Sequence, residues 1–477
     1  MNRIIIVLSV FLFPAFTHTQ NIGIGTDSPV EKLDVAGNIK ADTLKTNGLL
    51  LPPNAGEGKV LVSDANGNAS WAQMTMPPAE SNEDNLGYGA WGDCETNANI
   101  GDYFPVTDTA AGPYNLHGWS VSISGDFAIV GTLQDHEGIA AQGSASIYRR
   151  NGSVWELTQK LTDPVPNAGD NFGSKVLISG NLAFATVPQD DVGYPNTGSV
   201  CVFQFDGVSW VFLQKLSDPN GTAESQMGTS LAISPDFLIV GAGYDHNIGS
   251  FRGAVLVYQW NGSSYDYHSK LLDPGGANHD LFGSDVAISG THMIVGVPSD
   301  DVNGQVNQGS VCTFRYDGTT WNYIQKLSDA VANDQFGTSV ALNGPYALIG
   351  CPNSSNYKGV VHYYKFDGNT IVAHTLMSNY GGTTGERYGS DVYMTDRFMI
   401  ISGYTSYAEG IINCGASTIF QRIGSGWQRV LRFHDPGYAD GDGFGYEAAI
   451  DDVSRRFIIG APTYAVGSGK AIFGRVK

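Results

Sequence analysis

The sequence predicts an all-β fold, a seven-bladed β-propeller preceded by a short β-rich stalk. Three observations predict it: a unit of about 55 residues that repeats, turn pairs at fixed places within the unit, and a composition typical of β-proteins. The 477 residues include 61 glycines, 23 tyrosines and 22 phenylalanines, and only 15% are charged. This composition favours strands joined by tight turns.

The repeated unit begins with a ring-bearing residue or Met, then Gly and a short apolar strand. The clearest copies start at Phe172-Gly173, Met227-Gly228, Phe282-Gly283 and Phe336-Gly337, and the weaker ones at His117-Gly118, Tyr388-Gly389 and Phe444-Gly445. Successive motif glycines are 52 to 56 residues apart. Seven units therefore fill residues 101–477, at the period expected of propeller blades.

Each unit has the pattern of four strands. The first strand has a small residue at its fourth position in most copies, which suits the crowded centre of a propeller. The third and fourth strands are separated by pairs such as Asn151-Gly152, Asp206-Gly207 and Asp317-Gly318. Such pairs favour the positive backbone angles of a two-residue hairpin turn.

The two ends of the repeat region complement each other. The last unit stops after its third strand, which ends at Lys477. Upstream, Thr107-Asp108 precedes Gly118 by ten residues, as Thr162-Asp163 precedes Gly173. We therefore expect the segment before Asp108 to supply the fourth strand of the last blade and so protect its edge.

The pattern Phe-Gly…Ile-Val-Gly-x-Pro…Gly-Ser-Val resembles the FG-GAP repeat of integrin α-subunit propellers and bacterial surface proteins, over residues 101–477. In that family, calcium-binding units have an Asp-x-Asp-x-Asp-Gly loop between the first two strands. Here the corresponding turns, such as Ser289-Gly290-Thr291, have too few carboxylates to coordinate calcium. The expectation is no metal site and no cofactor, although calcium at the other acidic loops stays open.

The region before the propeller divides into three parts. Residues 1–19 have the basic, apolar and small-residue regions of a signal peptide, which predicts export and a secreted or cell-surface protein. Residues 20–72 resemble the "GIGT-SP-KLDV-GNI" segments of phage tail fibres and exported Bacteroidetes proteins, and residues 73–100 have the composition of a linker. A trimerising stalk and an extended lead-in both fit residues 20–72.

The charge, the apolar runs and the cysteines limit which partners and sites can be expected. The 46 acidic and 26 basic residues disfavour nucleic acid and leave cations or basic proteins as electrostatic partners. No apolar run after the signal peptide is long enough to span a membrane. Five scattered cysteines form no CxxC motif, so we expect neither a zinc site nor a redox pair, and the sequence does not show whether any cysteines pair.

Successive strands of a blade run in opposite directions, so alternate loops are predicted to lie on opposite faces of the propeller. The loops after the second and fourth strands share one face, which we call the long-loop face, and the hairpin turns share the other, the short-turn face. The turns are expected to be too small to shape a pocket. An acidic series follows the second strands, and we take these residues as candidate binding residues: Asp135, Asp190, Asp191, Asp245, Asp300 and Asp301. The alternative role for the series is to fix the loops by hydrogen bonds, which its repetition in successive units favours.

No catalytic constellation is apparent. There is no HExxH, no Gly-x-Ser-x-Gly and no phosphate-binding loop, so we expect a non-enzyme. The favoured function is a secreted adhesion or scaffold module that binds another protein through the long-loop face. The alternative is a glycan-binding lectin or a glycan-active enzyme, with the repeated Trp155, Trp210, Trp321 and Trp427 as sugar platforms. Tyr265 and Ile371 at the equivalent positions weaken that alternative.

Overall fold

The structure is a computed structural model. It describes residues 22–24, 33–35, 59–63, 69–73 and 100–477, the last range without 109–113, 137, 247–248, 329, 380–383, 406–413, 425 and 436–440. Two compact units divide the chain at residues 81 and 82. The predicted signal peptide and most of the predicted linker lie outside the described residues, and so does Cys94.

The described residues of the N-terminal unit form two small sheets. Strand β1 (Ile22–Ile24) pairs in parallel with β2 (Leu33–Val35). Strand β3 (Lys59–Ser63) pairs antiparallel with β4 (Ala69–Gln73). Trimerisation through residues 20–72 stays a prediction.

The second unit is a seven-bladed β-propeller in which every blade is a four-stranded antiparallel sheet, as the repeats predict. Blade 1 has β6 (His117–Ser124), β7 (Phe127–Thr132), β8 (Ser144–Asn151) and β9 (Val154–Leu161). Blade 2 has β10 (Val176–Ser179), β11 (Leu182–Val187), β12 (Ser199–Phe205) and β13 (Trp210–Ser217). Blade 3 has β14 (Ser230–Ile233), β15 (Phe237–Ala242), β16 (Ala254–Trp260) and β17 (Tyr265–Leu271). Blade 4 has β18 (Val286–Ser289), β19 (His292–Val297), β20 (Ser310–Tyr316) and β21 (Trp321–Leu327).

The remaining blades follow the same order. Blade 5 has β22 (Val340–Asn343), β23 (Tyr346–Cys351), β24 (Val360–Asp367) and β25 (Thr370–Ser378). Blade 6 has β26 (Asp391–Met394), β27 (Phe398–Gly403), β28 (Ala416–Ile423) and β29 (Gly426–Phe433). Blade 7 has β30 (Ala448–Asp451), β31 (Arg456–Ala461), β32 (Lys470–Val476) and, from the N-terminal side, β5 (Ile100–Val106). Two four-residue helices, α1 (Ser354–Tyr357) and α2 (Tyr464–Gly467), and a 3-10 turn at Val302–Gly304 lie in loops.

The closure predicted from the sequence is confirmed. Strand β5 pairs antiparallel with β32, with Val106 opposite Ala471 and Phe104 opposite Phe473. Asp102 adds an ion pair to Arg456, at 3.1 Å. The last blade thus has the same four strands as the others, with no exposed edge on β32.

The motif glycines allow neighbouring blades to touch through their backbones. Gly143 and Gly173 both have positive φ, and Gly143 forms a parallel bridge with Phe172 of the next blade. A Cβ on Gly143 would overlap the carbonyl oxygen of Phe172, and one on Gly173 would overlap that of Ser144. Glycine is therefore required at this crossing for both conformation and space.

The core lies between the blades. Apolar side chains of one blade pack on the next, and Phe172, Phe282, Phe336 and Phe444 are fully buried. Trp155, Trp210, Trp321 and Trp427 are also buried, which fits packing rather than sugar stacking. Trp155 stacks on Phe473 with ring centroids 4.3 Å apart, so it fastens blade 1 to blade 7.

Two further features of the described residues concern their helices and their cysteines. None of their helices is long and apolar enough to cross a membrane. The four cysteines of the described propeller, Cys201, Cys312, Cys351 and Cys414, are buried, and no disulfide joins any two of them.

Candidate functional site

Four of the six candidate aspartates lie inside the long-loop face rather than on it. Asp135, Asp190, Asp245 and Asp300 are each at most 6% exposed. Each pairs with a lysine of the same blade's fourth strand: Lys160, Lys215, Lys270 and Lys326. Each lysine also pairs with an aspartate that follows the previous blade: Asp108, Asp163, Asp218 and Asp273. We call this unit of one lysine and two aspartates the lysine clamp.

The clamp joins neighbouring blades at their long-loop ends. In blade 3, Lys270 Nζ lies 2.6 Å from Asp245 and 2.7 Å from Asp218. In blades 1, 2 and 4 the aspartate also accepts a hydrogen bond from a serine at the start of the third strand, as Ser144 donates to Asp135 at 2.6 Å. A buried carboxylate with two partners of this kind is held in place. These four aspartates therefore hold neighbouring blades together. This is a structural role, as in the loop-fixing interpretation, but the main partner of each aspartate is a lysine.

A third carboxylate, that of Asp170, approaches the clamp of Lys215. Asp170 lies with Asp163 and Asp190 so that one oxygen of each falls within 4.8 Å of the others, an arrangement that could hold a metal ion. Asp170 accepts a hydrogen bond from the Asn167 amide at 2.7 Å, and burial raises the pKa of its carboxyl. The Lys215 ammonium already supplies a positive charge to the other two carboxylates, so it competes with any cation.

Asp191 and Asp301, the other two candidates, lie on the surface of the long-loop face. Their carboxylates accept backbone hydrogen bonds from Asn196 at 2.9 Å and from Asn307 at 2.8 Å. Each bond fixes the loop that follows the second strand, while the side chain stays exposed. Of the six predicted residues, only these two can meet a partner without rearrangement.

Sequence reasoning missed the exposed apolar and tyrosine side chains on the same face. Seven large side chains there are 40% to 68% exposed: Tyr114, Val165, Tyr194, Tyr244, Val306, Val331 and Tyr357. They belong to loops of blades 1 to 5, and Arg387 lies over the Tyr357 ring at 5.4 Å. Tyrosine combines contact area with a polar group, so it is common where proteins recognise each other.

The loops that present these residues are tied together. The loop after each second strand hydrogen-bonds through its backbone to the loop that leads into the next blade. Examples are Glu224 to Pro195, His279 to Ser250 and Asn333 to Val306, each at 2.8 Å. Loops tied in this way keep their shape, which lowers the entropic cost of binding.

A charged cluster lies where the central channel opens toward the long-loop face. Lys175, Asp285, Asp391 and Glu447 occupy the same position of four blades, two residues after the motif glycine, and line a channel of about 690 Å³. Lys175 pairs with Glu447 at 3.3 Å. Burial and Glu447 raise the pKa of Asp285 to about 6, and burial with both neighbouring carboxylates raises that of Asp391 well above its ordinary value. The shared position was visible in the repeats, but the distances across the channel were not.

The short-turn face is not featureless, contrary to expectation. A cavity of about 390 Å³ lies between blades 4 and 5, lined by turn residues such as Gly290 and Gly368 and by apolar side chains such as Phe314 and Leu342. The turns are small, as predicted, but the space between two blades forms the pocket.

Comparison with known proteins supports the repeat assignment. The family model described as FG-GAP repeat matches residues 107–148, 210–258, 265–314 and 321–362. The chain contains FG-GAP repeats. No curated protein matches it.

Among solved structures, the FG-GAP propeller is similar to a putative 6-phosphogluconolactonase from Bacteroides fragilis NCTC 9343. That match has 12% identity and a TM-score of 0.47, and covers 73% of this chain and 98% of the other. At this level of similarity, the match bears on neither activity nor substrate.

Proposed function

We propose that the protein is an exported, non-catalytic binding module that recognises another extracellular protein through the long-loop face. The supporting observation is the exposed tyrosines on that face, including Tyr194 and Tyr244, held on loops that hydrogen-bond to one another. Rigid loops on a scaffold are a common place for recognition, and exposed aromatic side chains supply most of the contact energy.

The charge of the face suggests the chemistry of the partner. Asp191 and Asp301 are exposed in loops of the same face, and the whole chain has a formal net charge of −20. Opposite charge on the partner accelerates encounter, and salt screens that attraction. We therefore expect a basic partner surface, with an association rate that falls as ionic strength rises.

The test is capture of extracellular proteins from the native host on immobilised protein, followed by measurement of the association with each captured protein. Replacing Tyr194 and Tyr244 together by Ser should weaken the association at least tenfold, because it removes two central contacts. The matched control replaces Tyr267 and Tyr323, which are similarly exposed on fourth strands, and should leave binding unchanged. Loss of binding in the control alone would place the interface on the outer strands.

Charge is tested separately. Replacing Asp191 and Asp301 by Asn should lower the association rate and its salt dependence while the fold stays intact. The controls Asp206→Asn and Asp317→Asn lie in turns of the short-turn face and should change neither. A glycan array with a hydrolase and lyase panel tests the alternative, and reproducible sugar binding or turnover by the native protein would overturn the proposal.

A further inference from the structure

Two histidines meet on the outer strands of blade 5. His362 of β24 and His374 of β25 lie on neighbouring strands, and His362 Nδ1 is 3.1 Å from His374 Nε2. His362 is 4% exposed, whereas His374 is open to solvent. The two rings therefore bring two nitrogen donors together at a point that can be reached from the surface.

A β-bulge that is displaced in blade 5 brings His374 to this point. In five other blades the fourth strand leaves one residue out of the pairing with the third strand, and these residues are Thr158, Leu213, His268, Ile324 and Val430. His374 is their equivalent in blade 5, but there the pairing omits Val372 instead, so that His374 lies opposite Tyr364. Bulges often re-aim side chains next to functional sites.

The residues around the pair also differ from those of the other blades. His362 stands where blade 4 has Cys312, which lies opposite the clamp lysine Lys326. In blade 5, Leu376 lies opposite His362 and replaces that lysine. An ammonium group at this position would repel a cation bound by the histidines, and blade 5 has none there.

Aromatic contacts hold both imidazole rings. Tyr364 stacks on His374, with ring centroids 4.3 Å apart and planes at 4°. The Phe336 ring packs edge-on against His362 at 4.8 Å. Rings that are packed in this way keep their nitrogens in place, and such support strengthens a metal site.

The separation of the two nitrogens suits a shared metal ion. An ion about 2.0–2.1 Å from two imidazole nitrogens, at an angle of about 90–110°, places these nitrogens roughly 2.8–3.4 Å apart. The distance of 3.1 Å in blade 5 falls within that range. When the ion is bound, each ring carries its proton on the other nitrogen, so the ion takes the place of the hydrogen bond between the rings.

We propose that His362 and His374 form a binding site for a divalent transition-metal ion, with Cu²⁺ bound more tightly than Zn²⁺. Neutral imidazole is a ligand that both ions prefer, and copper binds the more tightly to a given set of nitrogen ligands. Water completes the coordination. Because most zinc sites have three or four protein ligands and this one has two, it should fill only when the ion is added. Calcium prefers oxygen ligands and should not bind here.

The test titrates Cu²⁺ into the full-length protein and follows binding by calorimetry and electron paramagnetic resonance. One bound copper ion should show two coordinated imidazole nitrogens, and excess Zn²⁺ should displace it. His374→Ala should leave the fold unchanged and weaken this site at least about 100-fold, because loss of an outer partner alone costs about 10–100-fold. The matched control is His268→Ala, at the equivalent position of blade 3, where Leu256 takes the place of His362. That control should bind Cu²⁺ at this site as the native protein does.

A second variant changes the charge at the site without touching either histidine. Leu376→Lys restores the lysine that blades 1 to 4 have at this position, and should weaken Cu²⁺ binding roughly tenfold or more. Leu376→Met, which stays neutral, should bind as the native protein does. The proposal is overturned if no saturable site has two imidazoles, if His374→Ala or Leu376→Lys binds copper unchanged, or if His268→Ala loses the same site. The experiment needs no partner protein, so its outcome is independent of the proposed function.

Discussion

Removing one clamp lysine should destabilise the propeller far more than removing an exposed lysine. Lys270 is the strongest case, because its side chain is 11% exposed and those of Asp218 and Asp245 are 1% exposed. Lys270→Met would keep much of the apolar stem but leave two buried carboxylates without their cation. Breaking a buried ion pair on one side costs roughly 3–5 kcal/mol.

That cost translates into a measurable shift. Unfolding entropy is roughly 2.1 cal/mol/K per residue, so a propeller of about 380 residues should lose about 4–6 °C in melting temperature. The assay is differential scanning calorimetry at pH 7, with Lys358→Met, an exposed lysine, as control.

A second variant separates charge from packing. Replacing Lys270 by Met together with Asp218 and Asp245 by Asn removes the unpaired charges, and should recover most of the lost stability. If Lys270→Met melts with the control, or if the triple variant is less stable than the single one, the clamp is not the anchor described.

The remaining predictions concern closure, the channel and metal. Deleting residues 20–95 should leave the propeller folded, whereas deleting 20–110 removes β5 and should lower the melting temperature strongly, and equal melting would contradict the closure. Asp285 has a raised pKa of about 6 in the folded protein, so it binds a proton more tightly there than in the unfolded chain. Its contribution to stability is therefore present at low pH and lost as pH rises from about 4 to about 6, and Asp285→Asn should remove that dependence and add about 1–2 kcal/mol at pH 7, measured by urea unfolding. EDTA should scarcely change the melting temperature, because lysines supply the positive charge in the acidic clusters, and a large calcium-dependent rise would contradict this.

The fold could be predicted from the sequence because its determinants are local and repeated. Gly143 and Gly173 are needed where backbones touch, so equivalent glycines recur in every blade. Trp155 packs between blades, and a tryptophan recurs at its position in four units. The closing strand could be placed because Thr107-Asp108 keeps the register of Thr162-Asp163. Spacing alone was sufficient for these features.

Only part of the site could be predicted, because the burial of a side chain depends on the residues that pack against it. Asp190 and its neighbour Asp191 look alike in the sequence, but one pairs with Lys215 inside the junction and the other faces outward. The signal for the clamp was present, because Lys160, Lys215 and Lys270 recur 55 residues apart like the aspartates. Matching each lysine to its aspartates required knowing where the strands lie in the fold.

The fourth strand of blade 5 lacks both the clamp lysine and the aromatic anchor. Leu376 opposes His362 as Lys326 opposes Cys312 in blade 4, so a leucine that is 54% exposed stands at the clamp position. Ile371 has replaced the aromatic anchor on the same strand. A repeat that stabilises itself by identical contacts can lose them in one blade only while its neighbours hold it in place. The outer strand of blade 5 thus lacks the ion pair and the ring packing that Lys326 and Trp321 provide in blade 4, so its position depends more on the neighbouring blades.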